Sequence, residues 1–157
     1  MEARTVKPFP WMCADCRAKT VVLVQRDYAL SAVHDGADYE LTVHNVAVPT
    51  CSKCGKAIIT ADLSERITAE LRHRVGLLTP DGIRAKREDL GLTNGQLAAA
   101  VRVSEASLVR WETGMQLQTR AEDLLLRLYF DSAEVRRACV AAPGSTAAGP
   151  LQMEIAK

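Results

Sequence analysis

Four cysteines carry the first chemistry of this chain. Cys13 and Cys16 form one Cys-x-x-Cys pair, and Cys51 and Cys54 form a second far along the sequence. A two-residue gap lets both sulfurs of a knuckle turn toward one point. Two such knuckles complete a tetrahedron around zinc. Gly55, directly after the second pair, suits the backbone turn whose N–H groups point at sulfur. Arg17, Lys19, Lys53 and Lys56 stand close by and offset part of the negative charge of such a site. The pattern predicts one structural zinc ion per chain. Two disulfides, or redox pairs without metal, are the alternatives. A redox pair ordinarily precedes a helix in a βαβ unit, and none is read here.

A catalytic zinc would need an open coordination position and, in deaminase chemistry, a His-x-Glu beside the Pro-Cys-x-x-Cys that "PTCSKC" faintly resembles. His34 is followed by Asp-Gly, His44 by Asn-Val and His73 by Arg-Val. Four thiolates leave no place for water, and no nucleophile–base constellation is present, so the chain is not read as an enzyme. The fifth cysteine, Cys139, reads as a small hydrophobe on the apolar side of the last helix.

The elements that must position the cysteines are β-rich. "TVVLV" is a β-branched run, and "YALSAVHDGADYELTV" alternates on both sides of an Asp-Gly turn, which predicts a hairpin between the two pairs. The period then changes. Leu63, Ile67, Leu71 and Val75 recur every fourth residue and predict an amphipathic helix linking two domains. From Thr79 onward the reading is helical. Thr79 with Pro80, Thr93 with Gln96, the Ser104 cap, and Thr119 with Glu122 open helices, and "SAEVRRACV" supplies a short fifth one. The expected fold is α+β: a zinc-bound β-rich domain over 1–60, a linker helix over 61–78, a five-helix domain over 79–140 and a disordered tail over 141–157.

Apolar residues make up 48% of the chain and aromatics only 4%, so the cores are built from Ala, Leu and Val. Formal net charge is +1. Four zinc-bound thiolates with one divalent ion bring it to roughly −1. Residues 79–140 carry as many acidic as basic side chains. Affinity for nucleic acid must therefore come from a local patch. No span approaches the ~20 apolar residues of a membrane helix, and the opening "MEARTVKPFPWMC" lacks the apolar core of a signal peptide. A cytoplasmic protein with reduced thiols and no membrane partner is expected.

The segment "LTNGQLAAAVRVSEASLVRWETG" resembles the helix-turn-helix of Cro/repressor-type (Xre) DNA-binding domains. Thr93, Leu97, Ala98, Val103, Ser104, Leu108, Trp111, Glu112 and Gly114 carry the likeness. It implies that Leu97, Val101, Leu108 and Trp111 are core and that Arg87 pairs with Glu112 as a structural link. The turn, commonly Gly in that family, holds Arg102. An Arg at positive φ costs roughly 1 kcal/mol relative to Gly. The resemblance also places Glu105, Ala106, Ser107 and Arg110 at base edges, with Asn94 and Ser104 toward phosphate. Arg110 has the planar fork that matches guanine O6 and N7, Glu105 can accept from cytosine N4, and Ala106 can touch a thymine methyl.

A zinc-knuckle domain followed by such a helix-turn-helix resembles the MqsA-type (YgiT-type zinc finger) antitoxins, with "VHNVAVPTCSKCGK" as the strand entering the second knuckle. That likeness implies a homodimer on a palindromic operator of double-stranded DNA, autorepression, and an N-terminal domain that neutralises a small toxin, typically an mRNA-cleaving nuclease. Antitoxins of this family read bases with an Asn one turn before the Arg, and Ala106 holds that place here. The other reading is a stand-alone helix-turn-helix regulator whose zinc domain binds another protein.

Overall fold

The computed structural model of the chain describes residues 8–141. All but the first residue of the expected tail over 141–157 lies outside the described residues. The described residues form two compact units, divided between Leu78 and Thr79.

The first unit is an antiparallel three-stranded sheet in the order β1 (Trp11–Met12), β2 (Lys19–His34), β3 (Ala37–Cys51), followed by helix α1 (Ala61–Val75). Asp35 and Gly36 join β2 to β3 with φ of 50° and 74°. Two successive left-handed residues make a type I′ turn, whose twist matches that of the strands it joins. Farther from the turn the ladder slips. Arg26 faces Val46 and Tyr28 faces Val43, so Asp27 stands opposite both His44 and Asn45. This is a β-bulge, and it reverses which residues of β3 point inward. Leu41 and Val43 are buried before it, Val46 and Val48 after it.

The bulge keeps one apolar face continuous along a long strand, and α1 packs on it. Leu63 joins Val43, Val46 and Val48 in a buried cluster, with Ile67, Tyr28, Leu30 and Ala57 around them. Burying side chains of this size stabilises by about 1.5–3 kcal/mol each. The Thr60 hydroxyl caps the start of α1 by accepting the Leu63 N–H, and Gly76 at φ 79° ends it. Around the knuckles a second cluster joins Cys13, Val21 and Cys51 to Phe9, Trp11 and Ile58.

The second unit consists of α2 (Pro80–Asp89), α3 (Asn94–Val101), α4 (Glu105–Glu112), α5 (Arg120–Asp131) and α6 (Ala133–Ala141). Thr79, Thr93, Ser104 and Thr119 each accept an N–H of the helix they precede, and the Thr93–Gln96 and Thr119–Glu122 pairs close reciprocal capping boxes. Ile83, Leu97, Ala98, Val101, Leu108, Trp111, Leu126 and Tyr129 are buried. Leu97 and Ala98 lie on one face of α3, and Leu108 and Trp111 on one face of α4, so both helices turn their apolar sides inward. The architecture is α+β. Among the described residues no helix is long and apolar enough to cross a membrane.

Candidate metal centre and nucleic-acid interface

The two knuckles come together at the end of the sheet away from the hairpin turn. Cys13 and Cys16 lie just before β2, while Cys51 ends β3 and Cys54 follows it. Because β2 pairs with β3, Val21 faces Cys51 and the two Cys-x-x-Cys turns meet. Their four sulfurs all lie within 4.8 Å of one another. Cys13 Sγ is 3.6 Å from Cys54 Sγ, and Cys16 Sγ is 3.6 Å from Cys51 Sγ. Tetrahedral Zn–S bonds of about 2.3 Å place sulfurs about 3.8 Å apart, so the spacing fits such an ion. All five cysteines are free thiols. The site therefore can hold a metal ion.

Each knuckle needs a left-handed residue after its second cysteine. Gly55 supplies it in one (φ 75°) and Arg17 in the other (φ 50°). The backbone then closes tightly, with Cys13 N–H donating to the Ala18 carbonyl and Cys51 N–H to that of Lys56. Backbone N–H groups of Cys16 and Asp15 hold the Cys13 thiol below its ordinary pKa. Cys51 falls to about 6, chiefly through the Thr20 hydroxyl 3.2 Å from its sulfur, with N–H groups of Cys54 and Lys53 adding to it. Both shifts favour the thiolate, the form that binds metal. Cys54 is instead pushed up to about 12, the Lys56 N–H lowering it but the Cys51 sulfur, burial and the other two sulfurs raising it. Lys56 Nζ donates to Asp15 at 2.6 Å and ties the second knuckle to the first. Sequence reasoning singled out Lys56 for charge alone and passed over Asp15 and Thr20. A carboxylate inside one knuckle and a lysine just after the other was the available signal.

In the second unit, α3 and α4 are joined by a short turn in which Arg102 has φ 56° and ψ 43°, a left-handed conformation. Ser104 caps α4, accepting the Ser107 N–H at 3.0 Å, and its oxygen lies 2.8 Å from Ser107 Oγ. Glu105, Ala106 and Arg110 are exposed, Ser107 is half-buried, and Leu108 and Trp111 are buried beneath them. One face of α4 therefore makes the core and the other meets solvent.

Glu112 ends this helix pointing inward. Arg87 Nε donates to Glu112 Oε1 at 2.7 Å and Arg87 Nη2 to Oε2 at 2.9 Å. Arg87 Nη1 also donates to the Leu92 carbonyl at 2.9 Å. This two-pronged pair clamps α2 to α4, and the Glu112 carboxylate holds the Arg87 guanidinium above its ordinary pKa. Asn94 Nδ2 donates to Glu112 Oε2 at 3.2 Å, so its amide faces into this cluster. Arg84 Nη2 adds a bond of 2.6 Å to the Glu112 carbonyl. Sequence reasoning missed Arg84, although it lies three residues before Arg87 on the same face of α2. The Glu105 carboxylate lies against Gly95 at the start of α3, 3.3 Å from where a Cβ on that glycine would stand. Cys139 is half-buried on α6.

Residues 83–126 match the Helix-turn-helix family. The chain thus carries an Xre-type helix-turn-helix domain, and its members are DNA-binding regulators. The matched span runs from Ile83 in α2 into α5 and contains both α3 and α4. No curated protein matches the chain.

Proposed function

We propose that this protein is a zinc-containing antitoxin: its first unit neutralises a small toxin, and its helix-turn-helix represses its own operon by sequence-specific binding. The observation that carries this reading is the pairing, in this order on one chain, of a four-cysteine centre on a β-hairpin with a helix-turn-helix domain. Zinc is the ion that four thiolates at this spacing suit best, and with all four positions filled by sulfur its role is structural. The protein acts in the cytoplasm by binding and catalyses no reaction.

At the operator, α4 lies in the major groove with its first turn toward base edges. Arg110 donates to guanine O6 and N7, Glu105 accepts from cytosine N4, Ala106 touches a thymine methyl, and Ser107 completes the face. Ser104 and Asn94 stand at the first turns of α4 and α3. Their side chains are engaged within the protein, so their phosphate contacts run through backbone N–H groups of those turns. A homodimer presents two such helices to half-sites one helical turn, about 34 Å, apart on a palindrome. Leu124 and Leu128, one turn apart and exposed on α5, support self-association.

Native mass spectrometry after co-expression with both adjacent reading frames tests the proposal. A dimer with one zinc per chain and a bound small protein is the expected result. A zinc-loaded dimer without partner would overturn the antitoxin reading and leave a stand-alone regulator.

A further inference from the structure

We infer that Thr20 is a positioning residue of the metal centre, its hydroxyl acting on the Cys51 sulfur to hold the ion; this rests on the reading of the four cysteines as a metal site. Thr20 lies at the start of β2, directly after the first knuckle, yet its hydroxyl and its carbonyl both reach the second. Its Oγ1 is 3.2 Å from Cys51 Sγ. Its carbonyl accepts the Ser52 N–H at 3.0 Å and the Ser52 hydroxyl at 3.2 Å. One residue thus fixes the second knuckle both by its backbone and by its side chain.

The hydroxyl matters because of where the sulfur sits. Cys51 is only 1% exposed, so water cannot replace a lost donor. Four thiolates around a divalent ion leave the centre with a net charge of −2, and donors to sulfur spread that charge. The Lys56 ammonium, just after the second knuckle, is bonded to Asp15. The backbone N–H groups of the knuckle remain in any variant. The hydroxyl is the donor that a single substitution removes.

Thr20→Val is the clean test, because it keeps the β-branched shape, the strand and both bonds from Ser52. Thr20→Ser restores the hydroxyl and serves as the rescue. The full chain is stripped of metal and titrated with zinc against a chromophoric chelator. A parallel cobalt titration reads the thiolate-to-metal charge-transfer band. Loss of an outer-shell donor typically lowers metal affinity 10–100-fold. Thr20→Val is expected to bind zinc about tenfold more weakly and to shift the cobalt band, while Thr20→Ser matches wild type. Equal affinity and an unmoved band in Thr20→Val would overturn the role of Thr20. Failure of the wild-type chain to bind either metal would overturn the metal-site reading itself.

Discussion

At the scale of single residues, Glu112 shows how the helix-turn-helix separates structure from reading. Its carboxylate is almost wholly buried and receives two bonds from Arg87 and one from Asn94. Glu112→Ala would leave the buried Arg87 guanidinium with only the more exposed Glu88 carboxylate, 3.3 Å from its Nη2, which costs about 3 kcal/mol. Urea unfolding of the helical unit should record that loss. Arg110 is the converse case, its side chain exposed on α4. Arg110→Ala should keep the melting temperature and lose about 1–3 kcal/mol of discrimination between operator and scrambled duplex. Glu105 is expected to oppose non-specific binding, because its carboxylate lies against Gly95 at the start of α3, where the proposed reading brings phosphate. Glu105→Gln should therefore tighten binding to random duplex several-fold, most visibly at low salt. Filter binding on random DNA checks this, and an unchanged affinity would contradict it.

At the scale of elements, the hairpin is where sequence reasoning succeeded and also fell short. The Asp-Gly turn was legible because few dipeptides accept two positive φ values in succession. The helix starts were legible because Thr and Ser caps announce themselves. The bulge was not read, since nothing in composition marks a residue that must face two others. Its trace was present all the same: the apolar alternation of Leu41 and Val43 breaks before resuming at Val46 and Val48. Asp27 clasps the bulge, accepting the Asn45 N–H at 2.9 Å and the His44 Nδ1–H at 2.8 Å. The Asn45 N–H first and His44 second hold the Asp27 carboxyl below its ordinary range. A carboxylate with a lowered folded pKa contributes stability above its ordinary pKa and loses it only as pH falls through the lowered value. The clasp is thus complete at neutral pH. Asp27→Asn should speed hydrogen exchange at Asn45 and Val46 there and leave the amides of α2–α6 unchanged.

At the scale of the whole molecule, each unit has its own core, and one of them is built around sulfur. The knuckle cluster of Cys13, Val21 and Cys51 is small. Cores of this size commonly depend on a metal. A zinc chelator should therefore melt the strand signal of the first unit in circular dichroism, while the helical transition keeps its midpoint. The exposed pair Leu124 and Leu128 makes a second prediction at this scale. Leu124→Glu with Leu128→Glu should convert dimer to monomer in sedimentation without unfolding the helical unit. The four-cysteine cluster and the helix-turn-helix were both legible, because cysteine spacing and a capped, Trp-Glu-terminated helix are local patterns. The Arg84 contact and the Thr20–Cys51 bond were not, since they join positions that only the folded chain brings together.

On the proposed reading, the exposed face of α4 reads DNA on a nearly neutral protein. The most direct measurement is the affinity of the full chain for the duplex upstream of its own reading frame and for a scrambled duplex, across a range of salt. A marked preference for the first is expected, with a logarithmic fall of affinity with salt that reports several released counterions on both. Equal affinities with no salt dependence would contradict it.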